Sequence, residues 1–337
     1  MSGTCAISVV VPTHQRRARV LAMLNAFRHQ TFSPARFEVV ISIDGSTDGT
    51  REALEAVMTN HALRVLCQSR RGRAAALNAG IEASSGDLTV LLDDDMEPCP
   101  TFLECHWKAH VRRPRLGVMG AVPVATDNCA PPAQRYLAAK FNGHLKNLAR
   151  PSRMLLLTDF YSGNFSIRRD VLREVGGFDE DFQRYGNEDL ELSFRLARSG
   201  VTFTYAPDAR AAQHNDKAFA ALAQDSIAEG RTAVQFALKY PEAFNQLKLG
   251  SYSRGPWLLR LLRDQLLSVS SKGSGCPNWL MRVEAAIAGI DPPGTARFYR
   301  LALGYLYWIG VRVAIDEHRN AVRQVPSLAR LAQELSL

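Results

Sequence analysis

Short apolar runs alternate with helical patterns along the first 125 residues, and this alternation restricts the fold more than any other feature. Runs typical of buried strands lie at residues 7–11, 37–43, 63–67, 88–92 and 117–124. Segments with helical spacing, several with Ser, Thr or Asp near their start, lie at residues 17–29, 50–60, 72–84 and 101–112. The alternation predicts an α/β fold in which helices cover both faces of a mostly parallel sheet.

Three adjacent carboxylates follow the fourth apolar run. Residues 88–92 read LTVLL, and Asp93, Asp94 and Asp95 come directly after them. Ligands of open α/β sheets bind at the carboxyl ends of the strands. Mg²⁺ and Mn²⁺ take oxygen ligands, so one carboxylate there would hold a metal diphosphate while its neighbour meets a ribose. A solvated acidic turn explains the triplet equally well from the residues alone.

A second acidic pair, Glu188 and Asp189, opens a helix predicted over residues 188–199 with Asn187 as its cap. Acidic residues at a helix start are also favoured by the helix dipole alone. The pair is therefore either structural or part of a site.

Composition and cysteine usage limit the class of protein. The 337 residues are 46% hydrophobic and carry a net charge of +8, which suits nucleotide diphosphates, nucleic acid or anionic membranes as partners, or a generally basic surface. Six cysteines form no CxxC pair and no signal segment opens the chain, so a reducing cytoplasm is expected. PTHQR stands where a GxGxxG motif would follow the first strand, which argues against a dinucleotide-binding unit.

The rest of the chain is predicted to be a loop followed by helices. Residues 126–160 are irregular and basic, with the pair Pro131-Pro132 as a break, and they predict a flexible loop over the site. Helical spacing continues at residues 218–240, 257–270, 279–290 and 297–318. The apolar run 301–311 is too short to span a bilayer, which needs about 20 residues. It is either a buried core helix or an interfacial helix lying on a membrane.

Six motifs together resemble one family. They are PTHQR, SIDGSTDGT, RRGRAAALNAG, LLDDDMEP, SGNFSIRRDVLREVGGFDEDF and GNEDLELSFRLARSG. In this order they resemble the inverting family 2 glycosyltransferases of the GT-A fold. The resemblance covers residues 6–215 and implies a Rossmann-like, mostly parallel central sheet with flanking helices. It implies a catalytic domain over residues 1–215, and we expect residues 216–337 to be a helical extension that contacts the acceptor or a membrane.

The resemblance also implies roles for individual residues. Those expected to bind the nucleotide sugar are Thr13, Arg16, Asp44, Arg71, Gly72, Arg73, Asp93 and Asp94. Asp95 and His214 are expected to hold Mn²⁺ or Mg²⁺, although an isolated histidine is often an ordinary surface or core residue. Asp189 is the expected general base, and the expected acceptor contacts are Glu188, Asn164 and Gly177. Which of Arg70, Arg71 and Arg73 faces the diphosphate stays open.

The implied activity is metal-dependent, inverting transfer of a sugar from a nucleotide diphosphate sugar to a hydroxyl acceptor. A UDP-sugar is the expected donor. The acceptor classes are a sugar, a lipid-linked saccharide or a small molecule, and no nucleic acid partner is expected. The expected location is the cytoplasm, and peripheral attachment to the inner face of the membrane is the alternative. A nucleotidyltransferase would be expected to carry a phosphate-cradling glycine loop after the first strand. A noncatalytic nucleotide- or membrane-binding module would explain the charge but not the spaced acids.

Overall fold

A computed structural model describes residues 5–127, 129–254, 256–269 and 275–335. The chain divides into two compact units. The first contains the residues up to Thr126, residues 138–183 and residues 189–215. The second contains residues 127–137, residues 184–188 and the chain from Asp216 onward. The main change between units thus falls between residues 215 and 216, and two short segments before it belong to the second unit.

The first unit is built on a mixed sheet. Its nine strands, within the described part of the chain, are β1 (Ile7–Thr13), β2 (Phe37–Asp44), β3 (Ala62–Gln68), β4 (Leu88–Leu92), β5 (Met96–Pro98), β6 (Leu116–Ala121), β7 (Val124–Ala125), β8 (Asn164–Arg168) and β9 (Thr202–His214). The order across the sheet is β3-β2-β1-β4-β8-β6-β9-β5, and β7 pairs with β9. Strands β1 to β4 are parallel, whereas β8 runs antiparallel between β4 and β6. The α/β class with a mostly parallel sheet is confirmed.

Helices cover both faces of this sheet. The helices that begin before the main change of unit are α1 (Arg17–Phe27), α2 (Thr50–Ala56), α3 (Arg73–Ala83), α4 (Phe102–Ala109), α5 (Pro132–Leu148), α6 (Arg169–Glu174) and α7 (Glu188–Arg198). Side chains alternate along a strand, so Val9 packs with Leu24 of α1 on one face and Val10 packs with Leu77 of α3 on the other. Because β1 is buried along its whole length, it reads as a continuous apolar run.

The predicted loop over residues 126–160 is largely wrong. Residues 132–148 form helix α5, which is among the longer helices of the chain. Pro132 stands at its first position, where a missing backbone N–H costs nothing. Ala133, Leu137 and Ala138 are buried with helical spacing. A proline pair that looked like a break is therefore the start of a helix.

From Asp216 onward the described residues of the second unit form six α-helices, α8 (Phe219–Lys239), α9 (Trp257–Val269), α10 (Asn278–Ile290), α11 (Thr295–Glu317), α12 (Arg319–Gln324) and α13 (Pro326–Glu334). Helices α8 and α11 cross closely, because a Cβ added at Gly310 would lie 2.0 Å from the carbonyl oxygen of Ile227. Ser270, the last residue of the helix predicted over residues 257–270, lies outside the described residues.

The apolar run at residues 301–311 lies inside this unit. Within α11 the side chains from Tyr305 to Val311 are buried, so the core-helix interpretation holds for most of the run. In the part of the chain that the structure describes, every helix is too short or too polar to cross a bilayer.

Candidate active site

Polar side chains gather at one edge of the sheet. Strands β1, β2 and β4 run parallel, so their carboxyl ends reach the same edge. Thr13 and Asp44 are the last residues of β1 and β2, and Asp93, Asp94 and Asp95 follow β4. This is the edge at which ligands of α/β sheets bind. The fold thus brings together five of the residues that the sequence singled out.

The last two carboxylates of the triplet, Asp94 and Asp95, accept hydrogen bonds from neighbouring donors. Thr13 Oγ1 donates a hydrogen bond of 2.7 Å to Asp94, and Arg16 Nη1 lies 3.4 Å from Asp94 and 3.0 Å from Asp95. Burial raises the pKa of the Asp94 carboxyl to about 7, although Arg16 and Thr13 act in the opposite direction. Burial and the charge of Asp93 also raise the pKa of Asp95. Arg16 therefore supplies positive charge that this crowded acidic group needs.

Arg73 joins the triplet to the second acidic cluster. This residue begins α3, and its guanidinium donates from Nη2 to Asp93 at 2.7 Å and from Nη1 to Asp189 at 3.0 Å. Ser162 Oγ donates to Asp189 at 2.6 Å, and the Ser162 backbone N–H donates to the other carboxylate oxygen at 3.2 Å. Two carboxylates from distant parts of the chain thus share one cation.

Asp44 fixes the loop that leads into α3. Its Oδ1 accepts the backbone N–H of Arg71 at 2.7 Å and the side-chain amide of Gln68 at 2.8 Å. Its Oδ2 accepts the N–H of Gly72 at 2.9 Å. The Arg71 guanidinium instead pairs with Glu180 at 2.8 Å. A carboxylate has about four lone-pair sites, so Asp44 keeps acceptor capacity beyond these three bonds.

Gly163 leaves the room that Asp93 needs. A Cβ added at Gly163 would lie 2.5 Å from Asp93 Oδ2, far inside van der Waals contact. The backbone of Gly163 also accepts a hydrogen bond from the N–H of Asp93 at 3.1 Å. The glycine in the SGN motif therefore permits the close approach of a site carboxylate.

Asn164 lies behind the sheet edge in a buried polar network. Its Oδ1 lies 2.9 Å from His106 Nε2, and its Nδ2 donates to two backbone carbonyl oxygens. Ser166 Oγ lies 2.8 Å from His106 Nδ1 and 2.8 Å from His110 Nε2. Because the Asn164 side chain is completely buried and fully engaged, its position gives no support to the expected acceptor contact.

His214 contacts Glu97. The distance from His214 Nε2 to Glu97 Oε2 is 2.8 Å, and the His214 backbone N–H donates to the Asp95 carbonyl oxygen. Gln213, its neighbour on β9, directs its amide toward the Asp95 carboxylate at 3.4 Å. The carboxyl end of β9, which was predicted to supply a metal ligand, therefore lies beside Asp95. Gln213, and not His214, directs its side chain toward the Asp95 carboxylate.

Two expected acceptor residues serve the architecture of α7 and its preceding turn. The Gly177 carbonyl oxygen accepts a 2.7 Å hydrogen bond from Arg195, which also forms a 2.7 Å ion pair with the buried Glu191. A Cβ at Gly177 would lie 2.5 Å from Asn78 Oδ1. Glu188 is buried and belongs to the second unit. Neither position supports a direct acceptor contact.

Comparison with known proteins decides the family. The family model described as glycosyl transferase family 2 matches residues 8–176, which is half of the chain. The chain belongs to glycosyl transferase family 2. A second family model, described as the N-terminal domain of galactosyltransferase, matches residues 144–216. The two matches together span the strands and the helix that carry Asp44, Asp93 and Asp189.

Relatives of this family 2 chain include proteins named as glycosyltransferases. Validoxylamine A glucosyltransferase of Streptomyces hygroscopicus subsp. limoneus is 30% identical over 224 residues, covering 59% of this chain and 49% of the relative. Glycosyltransferase AglE of Haloferax volcanii is 27% identical, covering 68% of this chain and 73% of the relative. The chain spans about half the length of the validoxylamine glucosyltransferase that it matches.

Solved structures share the fold. A mannosyltransferase from Pyrobaculum calidifontis, in complex with GDP-Man and Mn²⁺, superposes with a TM-score of 0.60 at 21% identity and covers 92% of this chain and 87% of its own. Residues 1–349 of TarS from S. aureus superpose with a TM-score of 0.53 at 13% identity, covering 94% of this chain and 92% of their own. These similarities establish the GT-A type of fold.

The donor set at this edge fits a hard divalent cation. Asp93 and Asp95 offer carboxylate oxygens, and Gly163 keeps space beside Asp93. Among the described residues, no three His, Cys, Asp or Glu side chains are grouped so that they would hold an ion alone. Cations of the Mg²⁺ type are commonly bound through one or two carboxylates together with substrate phosphates and water.

Three contributing residues had no assigned role at the sequence level. Gln68 is the register partner of Asp44 on the neighbouring strand, so strand pairing places it beside that carboxylate. Ser162 precedes the glycine of the SGN motif, and Gln213 precedes His214. Ser162 and Gln213 are adjacent in sequence to predicted site residues, and Gln68 ends the strand that pairs with β2. These positions are the sequence features that indicate a role in the site.

Proposed function

We propose that this chain is a metal-dependent, inverting glycosyltransferase that moves a sugar from a nucleotide diphosphate sugar to a hydroxyl acceptor. The observation that carries the proposal is the position of Arg73 between Asp93 and Asp189. It supports a single site in which one carboxylate serves the donor and the other serves the acceptor. Membership of glycosyl transferase family 2 supports the same reaction class.

Asp189 is the proposed general base. Inversion requires the acceptor hydroxyl to attack the anomeric carbon from the face opposite the leaving diphosphate, and a base must take the hydroxyl proton. The Asp189 side chain is 23% exposed, so its carboxylate is accessible to solvent. Two hydrogen bonds from Ser162 orient that carboxylate. A base held in this way needs little rearrangement when the acceptor arrives.

The nucleotide is proposed to bind along the ends of β1, β2 and β4. Asp44 would meet the base with its remaining acceptor capacity, and Asp93 would meet the ribose. Arg73 is the proposed diphosphate ligand, because its guanidinium lies between the site carboxylates Asp93 and Asp189, whereas that of Arg71 reaches Glu180 outside this group. Arg16 would add positive charge on the opposite side of the triplet. Charge-assisted hydrogen bonds of this kind are strong and directional.

Asp95, with Asp93 beside it, is proposed to hold Mn²⁺ or Mg²⁺. When bound, such a cation neutralises charge on the diphosphate leaving group. Gln213 would orient the Asp95 carboxylate. His214 would have to release Glu97 to become a ligand, so its role is secondary in this proposal. The similar mannosyltransferase structure contains GDP-Man and Mn²⁺, and a TarS structure contains UDP. We propose UDP as the nucleotide here.

The acceptor is proposed to be a hydroxyl of a sugar, a lipid-linked saccharide or a small molecule. The cytoplasm is the proposed location. All six cysteines are free thiols, which supports a reducing compartment.

Calorimetry with four nucleotides tests the donor half of this proposal. UDP, GDP, CDP and dTDP are titrated into the protein with Mn²⁺ and again with a chelator. We expect metal-dependent binding of one nucleotide, lost in Asp95→Ala and kept in the control Glu55→Gln, whose exposed side chain lies on α2 and pairs with Arg51. If no nucleotide binds under either condition, the noncatalytic binding module becomes the better explanation. Product stereochemistry, followed by NMR with the matching nucleotide sugar, then tests inversion.

A further inference from the structure

Helix α9 presents its apolar side to solvent. Leu258, Leu261 and Leu262 are spaced so that they share one face, and they are 59%, 50% and 54% exposed. Trp257 at the start of the helix is also exposed. Within the described residues, eight of the fourteen exposed large hydrophobic side chains lie in α9 and α10, so the exposure is concentrated in one region. Scattered apolar residues are ordinary on a surface, but a concentration like this marks an interaction site.

The polar side of α9 packs into its own unit. The Arg263 guanidinium lies 3.6 Å from the ring centroid of Tyr252, and it also donates to the Tyr252 carbonyl oxygen at 2.8 Å. Asp264 accepts a 2.8 Å hydrogen bond from the Tyr252 hydroxyl. A helix at a water-exposed surface normally has the opposite arrangement, with leucines inside and charges outside. The orientation of α9 is therefore fixed by polar contacts that leave its leucines outside.

Helix α10 repeats this arrangement. Trp279, Val283 and Ile290 are exposed on a stripe with helical spacing, and Arg282 lies beside them. The carboxylate of Glu284 points inward instead and accepts a 2.8 Å hydrogen bond from the Tyr299 hydroxyl. Two successive helices thus direct an acidic side chain into the unit and apolar side chains out of it.

The two helices lie beside the same part of α11. The Tyr305 hydroxyl donates to the Leu266 carbonyl oxygen of α9 at 3.3 Å, and its ring lies 6.1 Å from the ring of Trp279 in α10. The apolar stripes of α9 and α10 are therefore parts of one region, which we call the α9/α10 face. It is defined by Leu258, Leu261, Leu262, Trp279 and Val283.

We propose that the α9/α10 face docks this protein onto an anionic lipid surface. Seven Arg or Lys residues and three Asp or Glu residues lie between positions 254 and 300, so the region is basic as well as apolar. Helices that combine exposed Leu and Trp with Arg insert shallowly at the boundary between headgroups and acyl chains. Anionic headgroups attract the arginines while the acyl chains receive the leucines. This places the lipid contact on α9 and α10, whereas the buried run of α11 remains in the core.

A second copy of the chain is the competing occupant. Pairing of two α9/α10 faces would bring two basic regions together, which like-charge repulsion opposes. Opposite charge makes an anionic bilayer the better complement. The proposal does not depend on the transfer reaction, so the two can fail separately.

Vesicle sedimentation tests the docking face with the full 337-residue chain. One set of vesicles contains phosphatidylcholine alone, and the other contains phosphatidylcholine mixed with phosphatidylglycerol. The test variant is Leu258→Ser with Leu261→Ser and Leu262→Ser. The matched control carries three serines at exposed apolar positions of the first unit, Met58, Met154 and Leu156. Arg282→Gln is a second variant that leaves the leucines in place.

We expect the wild type and the control to sediment with the anionic vesicles. The affinity of the leucine variant for these vesicles should be lower by about tenfold or more. Arg282→Gln and added salt should weaken binding as well. Bromine-labelled lipids should quench tryptophan fluorescence in the wild type. Equal sedimentation with and without anionic lipid would overturn the proposal. A concentration-dependent dimer that the leucine variant abolishes, without lipid binding, would assign the face to a second copy instead.

Discussion

Arg73 Nη1 donates a hydrogen bond to Asp189 Oδ1 across 3.0 Å, and the same guanidinium reaches Asp93 at 2.7 Å. The two carboxylates come from the end of β4 and the first turn of α7, so a single side chain connects both halves of the site. An arginine presents its donors in a rigid fork, which fixes the separation of the two carboxylates as well as their charge balance.

Replacing Asp189 by Asn should lower turnover by about a hundredfold or more, because the variant loses the proposed proton acceptor. Donor affinity should change little, since the asparagine can still accept the hydrogen bond from Arg73 and the other nucleotide contacts lie at the ends of β1, β2 and β4. Steady-state rates and calorimetry on the same preparation measure the two effects. Glu180→Gln is the control, because it removes an acid that pairs with Arg71 at the rim of the site. Turnover near that of the wild type would remove Asp189 from the role of base.

Gly163→Ala should displace the Asp93 carboxylate, because the new Cβ would lie 2.5 Å from Oδ2. We expect metal-dependent nucleotide affinity to fall by about tenfold or more, the scale of losing one charge-assisted contact. Gly143→Ala on α5 is a matched control, since its Cβ would meet no atom within 4 Å. Equal nucleotide affinity in the two variants would show that the position of Asp93 is not critical.

Gly310→Ala should destabilise the second unit. Its Cβ would lie 2.0 Å from the Ile227 carbonyl oxygen, so α8 and α11 would have to separate, at a cost of about 3 kcal/mol or more. Gly304→Ala on the same helix meets nothing within 4 Å and should stabilise by about 0.5 to 1 kcal/mol. Chemical denaturation of both variants gives the comparison. A loss of stability in Gly304→Ala that equals the loss in Gly310→Ala would contradict the close crossing.

Acid should destabilise the fold through two buried histidines, His106 in α4 and His110 directly after it. Burial lowers the pKa of His106 from 6.5 to about 4, and burial likewise lowers that of His110 to about 3. Below about pH 6.5 the unfolded chain binds protons that the folded protein does not. The free energy of unfolding should therefore fall as the pH drops toward 4, by on the order of 3 kcal/mol for His106.

Denaturation curves of the wild type and His106→Gln between pH 7 and pH 4 measure this effect. The variant should show a shallower decline, because it lacks one of the groups that titrate only on unfolding. Parallel declines would mean that His106 is protonated in the folded protein.

The sequence predicted the parallel half of the sheet well, because β1, β2 and β4 are buried on both faces and read as apolar runs. It did not predict β8 as an antiparallel insertion between β4 and β6, since pairing with distant strands leaves no local signal. The sequence did not predict helix α5, because Pro132 also indicates a break in helical structure. Such a proline is equally suited to the first turn of a helix.

The sequence indicated which polar residues stand at the carboxyl ends of strands. It did not indicate the surroundings of polar residues that belong to a strand, such as Asn164. Asp44 and the Asp93 triplet follow from the position of the strand ends. Asn164 lies at the start of β8, where its amide is consumed by His106 and backbone carbonyls. That fate depends on what packs behind the strand, which a single sequence does not reveal. The exposed stripe on α9 was likewise hidden, because helical spacing identifies a face without saying which way it points.

The ion pair between Glu191 and Arg195 has a consequence for the timescale of motion in α7. It anchors the middle of the helix while Arg195 also binds the carbonyl oxygens of the turn at Val175 and Gly177. Asp189 stands half a turn before Glu191 in the same helix. Local opening of α7 would have to break these buried contacts first. Amide hydrogens beyond the first turn of α7 should therefore exchange with solvent slowly, and the carboxylate of Asp189 rests on a segment that opens rarely.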